Sequence, residues 1–472
     1  MKDLLGNPLV IKQLREEMRS RKIFFLVPVY IAILSAIALV AVGSSTSATF
    51  NPVTLSSNAK LTLFSFVVAV SILLGLIALI LGAASFTTEK ERSTYELLEL
   101  TPLSYVQLVL GKFLHSLIII GLILFSSLPV FSTLFFMGGL TYLDLVLPLL
   151  YLILFFAVVI LAAICISIGS NRTIIGIILS LLVGFVSYIS LAILGSSAYR
   201  EPADVGYAVL SPWLVIWRQI FAPVPLKILG ANIPVWIVYS ALYILIGWLF
   251  VAWGHNALDT RKLQRNPRAR ILGLILINLY AATAILCLNS YRPFTPKHVE
   301  DLYQLLFAAL MVTVPFFVMG VFTEQDEKRF RQKPLRQTFH LRNLFLNHPA
   351  TGPFYLMVLL TTISINVVLC TAVPAKVVFG ALFILILWVL PWLLFFIAMR
   401  LAGIQARGIL VSYILGILLV ILASAFYHSG KSTSSIFDYF LITPILTSIY
   451  IASLATFLVV RLRVSQRLRQ AG

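Results

Sequence analysis

A chain that carries one bilayer-length apolar run after another has few folds open to it. Such runs lie near residues 23–43, 61–83, 113–137, 143–169, 173–195, 232–253, 271–290, 302–322, 354–371, 376–400, 408–426 and 440–462. As a helix, about 20 residues cross the roughly 30 Å hydrocarbon layer. Lipid offers no hydrogen bonds to the backbone, so a helix is the natural form for each run. The expected fold is therefore an all-α polytopic membrane protein with twelve transmembrane helices. Its 472 residues are 60% hydrophobic and 11% charged, too apolar a balance for a soluble core of that size.

The net charge of +18 raises the question of a nucleic-acid partner. The distribution of basic residues argues against one. With the N-terminus placed in the cytoplasm, 27 of the 35 lysines and arginines fall on the inner side of the twelve-span arrangement. That is the positive-inside pattern of membrane proteins, and it accounts for the charge. The expectation is a multi-pass protein of the plasma membrane with both termini cytoplasmic. Cys165, Cys287 and Cys370 all fall inside apolar runs, so no disulfide framework is expected. The first run follows a charged segment of 22 residues and is read as a retained span rather than a cleaved signal.

The most informative polar stretch is Ser85 to Phe113, SFTTEKERSTYELLELTPLSYVQLVLGKF, between two apolar runs. Ser93 with Glu96 three residues on has the spacing of a capping box, which predicts a short helix from Thr94 carrying Leu97, Leu98 and Leu100. Pro102 ends it, because the residue before a proline leaves the α region. Ser104 with Gln107 repeats the capping pattern for the next helix.

Elsewhere, Pro8 is suited to the first position of a helix with Val10, Ile11, Leu14 and Met18 on one face and Lys12, Arg15, Glu16, Arg19 and Lys22 on the other. This is expected to be an N-terminal interfacial amphipathic helix, residues 1–22, in contact with membrane lipid. Gly176, Ser180 and Gly184 recur every four residues and form a small-residue stripe for helix packing. From 196 to 231 the chain is interrupted by Pro202, Pro212, Pro223 and Pro225 and carries Trp213 and Trp217, which predicts short helices on or dipping into the outer leaflet. A basic cytoplasmic link follows at 256–270, then further spans over 271–472. VFTEQDEKR at 321–329 echoes SFTTEKER at 85–92, which suggests two fused six-helix units, although 330–353 holds nothing like YELLELTP.

The wording EKERSTYELLELTPLS with Gly111-Lys112, the N-terminal helix, and LSPWLVIW followed by IPVWIVY together resemble the type-2 permease subunits of ATP-binding cassette transporters. The resemblance covers residues 7–255. It implies a first six-helix permease unit over 23–255, a coupling loop at 85–112 that docks on a separate ATPase subunit, and an outer re-entrant region near 196–231. Carried over residue by residue, the coupling positions are Glu91, Arg92, Thr94, Glu96, Leu97, Leu98, Thr101, Pro102 and Leu103, with Glu99 offering a further acidic contact. Ser93 stands where that family usually has glycine. The resemblance implies no cofactor in this chain, ATP and Mg being bound by the partner subunit; a homodimer and export are further expectations.

Other chemistries find little support. Gly430-Lys431-Ser432 lacks the glycine that a phosphate loop needs at position 425, which is alanine. An ion-coupled twelve-helix secondary transporter, the principal alternative, would need charged groups at the bilayer midplane. The acidic residues fall instead in loops or at span ends, Asp144 and Asp438 lying nearest a span. No His-Glu-x-x-His is present, and His115, His340 and His348 are expected to be solvated or interfacial.

Overall fold

A computed structural model describes residues 8–18, 21–45, 52–95, 104–135, 140–170, 172–197, 209–221, 225–228, 231–258 and 268–291, with residues 362, 365 and 366. Apart from those last three, the spans expected beyond residue 300 lie outside the described residues. So do the 321–329 fragment, His340, His348, Cys370, Gly430-Lys431-Ser432 and Asp438. The chain divides into two compact units, Met1–Leu276 and Ile277–Gly472.

In the first unit the elements run α1 (Pro8–Met18), α2 (Arg21–Ser45), α3 (Pro52–Glu91), α4 (Tyr105–Ser126), α5 (Leu128–Phe135), α6 (Tyr142–Gly169), α7 (Thr173–Ser197), α8 (Pro212–Phe221), β1 (Leu226–Ile228), β2 (Ala231–Ile233) and α9 (Val235–Leu258). Helix α10 (Arg268–Tyr291) leads into the second unit. There, Asn278 donates to Thr362 Oγ1 at 3.1 Å and accepts from Asn366 Nδ2 at 2.8 Å. Among the described residues, four helical stretches are long and apolar enough to cross a membrane: Ala59–Glu91, Tyr105–Thr133, Tyr142–Gly169 and Val235–His255. Shorter apolar stretches, Phe25–Val40, Thr173–Ile189 and Ile271–Thr283, lie in α2, α7 and α10. The chain departs from helix in a small antiparallel hairpin, where Leu226 pairs with Ile233 and Ile228 with Ala231.

Helices α3 and α6 form the centre. The first touches α2, α4, α6, α7 and α8; the second touches α3, α4, α7, α8 and α9. Missing side chains let them approach. A Cβ on Gly82 would sit 2.6 Å from Ala163 Cβ and 2.9 Å from the Ile160 carbonyl, so any larger residue would force two backbones apart. The small-residue stripe of α7 faces α3: a Cβ on Gly176 would lie 3.0 Å from Thr87 Cγ2, and one on Gly184 2.3 Å from Leu79 Cδ1. Ser180, between them, is fully buried.

Several local expectations need correction. The span expected over 113–137 is present as the single apolar stretch Tyr105–Thr133, but its helix is interrupted at Ser127, between α4 and α5. Pro129 explains the break, since it has no N–H to continue the ladder and its ring crowds the carbonyl of Phe125. The Ser126 and Ser127 hydroxyls donate instead to the carbonyls of Ile123 and Leu124. The polar stretch at 85–113 is helical at both ends, α3 running through Glu91 and α4 starting at Tyr105, which leaves 92–104 as the connection. Ser85, Thr87 and Thr88 fit within α3 because each hydroxyl donates to a carbonyl three or four residues earlier. At about 60 Å, the 40-residue α3 is twice the hydrocarbon thickness, so its charged end projects beyond the apolar segment.

Helix α1 starts at Pro8, and its face against the protein is narrower than the sequence pattern suggests, with Val10 buried and Ile11 half exposed. It packs on α4 and α2. Together with the hydrogen bond between His115 and the Gln13 backbone, that packing makes His115 a buried residue rather than a solvated one.

Candidate functional site

The end of α3 gathers most of the charged contacts among the described residues. The helix closes through two backbone bonds, Ser93 N–H to the Lys90 carbonyl at 3.2 Å and Thr94 N–H to the Glu89 carbonyl at 3.0 Å. This is the Schellman closure, which requires the residue just past the helix to be left-handed, and Ser93 has φ of 56°. Ser93 is therefore not the N-cap of a following helix, because an N-cap is extended and a left-handed residue cannot fill that role. A left-handed position suits glycine, which has no Cβ to collide with the following carbonyl. Thr94 is outside any helix, and Tyr95 is the first helical residue after the closure.

Just before this closure, three consecutive charged residues each hold a different helix. Glu89 forms a salt bridge with Lys112 of α4 at 2.7 Å, and the Lys112 side chain is 1% exposed against 19% for Glu89. The Lys112 ammonium also donates to the Ser85 carbonyl and lies 4.6 Å from the centre of the Phe86 ring. A buried ammonium is tolerated only with this kind of company: a countercharge, an acceptor and a π face.

Lys90 turns to α6, donating to the Ile168 carbonyl and, at 3.2 Å, to the Ser170 carbonyl. Glu91 turns to α7, where Oε1 accepts from Thr173 N–H and Oε2 from Thr173 Oγ1, both at 2.8 Å. The signs match the helix ends they meet. A cation sits at the carbonyl end of α6 and an anion at the amide end of α7, as the helix dipoles favour. Ser167 adds a further tie, its Oγ accepting from Phe86 N–H at 2.9 Å and Thr87 N–H at 3.1 Å. The start of the connection is drawn onto the same end. Tyr95 lies with its ring 6.5 Å from that of Phe86 and 5.6 Å from the Lys90 ammonium. Across the connection Ser104 caps α4 with the expected box, accepting from Gln107 N–H while Gln107 Oε1 accepts from Ser104 N–H.

A second cluster surrounds Ser71 on α3. Trp213 Nε1 donates to Ser71 Oγ at 2.9 Å and Tyr188 OH to the Ser71 carbonyl at 2.8 Å. Rings of Phe155, Tyr188, Trp213 and Tyr243 meet around this point, and Tyr243 OH donates to the Leu210 carbonyl just ahead of α8. Helix α8 thus packs inside the unit against α3, α6 and α7, with Trp213, Leu214, Ile216 and Ile220 buried. Trp213 is a core residue here because its indole N–H finds an acceptor. Arg218, in the last turn of α8, is buried too, where its charge suits the carbonyl end of that helix.

Of the residues expected to contact an ATPase, Arg92 and Thr94 are exposed at the start of the connection, and Glu91 binds Thr173. Glu96, Leu97, Leu98, Glu99, Thr101 and Pro102 lie outside the described residues. Sequence reasoning missed Glu89, Lys90, Ser167 and Thr173. Nothing in their local spacing marks them, since their partners lie between 23 and 82 residues away in sequence. It also missed the cap of α6, where Thr141 Oγ1 accepts from Asp144 N–H and the Asp144 carboxylate accepts from Thr141 N–H; the three-residue spacing was a sufficient signal. Asp144 is accordingly a helix cap and not a midplane acid.

Comparison with curated proteins finds no match. The family model described as ABC-2 family transporter protein matches residues 8–243, which take in α1, the charged end of α3 and the α8 region. With half its length so matched, the chain belongs to the ABC-2 transporter family and is the membrane-spanning permease component of an ABC transporter.

Proposed function

We propose that this permease is an exporter driven by a separate ATPase subunit, which binds the ATP and Mg and docks on the short helix within the 92–104 connection. The observation that carries the reading is the family match across the stretch that includes this connection, flanked by helix ends tied to the rest of the unit. In the docked complex Leu97 and Leu98 fill a groove on the ATPase. Glu96 and Glu99 meet a basic rim, and Thr101 with Pro102 ends the helix. The whole chain has twelve spans in two six-helix units and sits in the plasma membrane with both termini cytoplasmic. Two copies supply one docking helix each. α1 lies in the membrane interface, and α8 forms the re-entrant element facing the outer leaflet. An apolar translocation region, built from spans whose acidic residues fall in loops or at span ends, favours a lipidic or amphiphilic substrate.

Co-purification tests the docking. Desolvated apolar anchors carry most of the binding energy at an interface, so Leu97→Asp costs about 2 kcal/mol or more and abolishes recovery of the ATPase. A rim charge mainly sets rate and salt dependence, so Glu99→Lys weakens recovery mildly and makes it salt-sensitive. Full recovery with Leu97→Asp would place docking elsewhere.

A further inference from the structure

Neighbouring residues on a helix point about 100° apart, so a charged triplet at a helix end faces three directions. In this chain each direction ends on a different helix: α4 through Glu89 and Lys112, α6 through Lys90, α7 through Glu91. The connection leaves directly from the triplet with little slack, because Thr94 N–H is bonded to the Glu89 carbonyl and Tyr95 lies beside Lys90.

We infer that Glu89, Lys90 and Glu91 are positioning residues that carry displacement of the 92–104 connection into α4, α6 and α7 together, with Glu91 acting inside the chain rather than on the ATPase. This rests on the docking reading above. Both Glu91 oxygens accept from Thr173 at 2.8 Å, which turns the carboxylate toward α7 and fixes its orientation inside the chain. Lys90 and Glu91 address the two sides of the tight α6–α7 turn with opposite charge, so they hold it in one orientation. Lys112 is buried against Glu89 and follows the end of α3 wherever it moves. A push on the connection therefore reaches three helices at once, where a simple loop would absorb it.

The test uses the full chain in lipid nanodiscs, with and without the ATPase that co-purifies with it, read by amide hydrogen exchange. Thr173→Val removes one of the two clamp bonds at an accessible site, Lys90→Met removes the α6 tie, and Thr173→Ser keeps the hydroxyl as the rescue. In the chain alone, exchange over 167–176 rises in Thr173→Val and Lys90→Met and stays at the wild-type level in Thr173→Ser. In the complex, trapping with ATP and vanadate alters exchange over both 92–104 and 167–176 in wild type and in Thr173→Ser. In Thr173→Val and Lys90→Met the change persists at 92–104 and is lost at 167–176. Glu91→Ala still recovers the ATPase. Unchanged exchange in the variant chains, an intact response at 167–176 in the variant complexes, or loss of the ATPase with Glu91→Ala overturns the inference. Should wild type recover no ATPase, the docking reading falls and transmission falls with it, while the exchange of the chain alone still decides whether the clamps exist.

Discussion

The two clusters along α3 solve the same problem, joining helices within a membrane protein, by opposite means. Around Ser71 the contacts are aromatic rings, with polar atoms matched one to one by neutral partners. At Glu89 to Glu91 the contacts are charges set against helix ends and against a buried ammonium. Neutral aromatic packing is dense and tolerates little rearrangement. Charged ties are long-armed and depend on their surroundings, so they suit an end of the helix that projects beyond the apolar segment. On the docking proposed above, the difference would separate a part of α3 that stays still from a part that is acted upon.

The largest effect expected from breaking this contrast is at Lys112. Lys112→Met leaves the Glu89 carboxylate without its countercharge. Removing one partner of a buried pair costs about 3–5 kcal/mol, and because Glu89 keeps some access to water we expect about 2–3 kcal/mol, read as thermal unfolding of the purified chain in detergent. The double variant Lys112→Met with Glu89→Gln recovers part of the loss. A Lys112→Met chain as stable as wild type would mean the charged end contributes no more than a solvated loop.

At the aromatic end Trp213→Phe keeps an aromatic side chain but removes the N–H that serves Ser71 Oγ together with part of the buried indole. The expected loss is about 2 kcal/mol, one neutral hydrogen bond plus the space left by the smaller ring, and it is the same at low and high salt. A salt-dependent loss there would erase the distinction between the two ends.

The smallest effect is a gain. Ser93→Gly removes a Cβ from a left-handed position, and the relief of about 1–2 kcal/mol is partly offset by the greater freedom of glycine in the unfolded chain. A net stabilisation below about 1 kcal/mol is expected, seen as a modest rise in the unfolding temperature. A loss of stability would show that the Ser93 hydroxyl does more than tolerate the turn.

What the sequence determined by itself was whatever depends on composition, period or short spacing. Bilayer-length apolar runs announced the membrane helices, Ser104 with Gln107 announced the start of α4, Pro8 the start of α1, and the four-residue stripe in α7 a close helix contact. Each of these is decided by atoms within a turn or two of one another, so local spacing carries the information. Ser93 was misread because a serine three residues before a glutamate has the same spacing whether it opens a helix or closes the preceding one, and only the backbone dihedral tells them apart. Tertiary structure alone decided that Glu91 binds Thr173, that Lys112 is buried against Glu89, that His115 is covered by α1, and that Trp213 lies in the core. The reason is physical: burial and pairing of a polar side chain depend on which distant helix comes to lie beside it, and that follows from how α3 and α6 pack, not from the residues next to it in the chain.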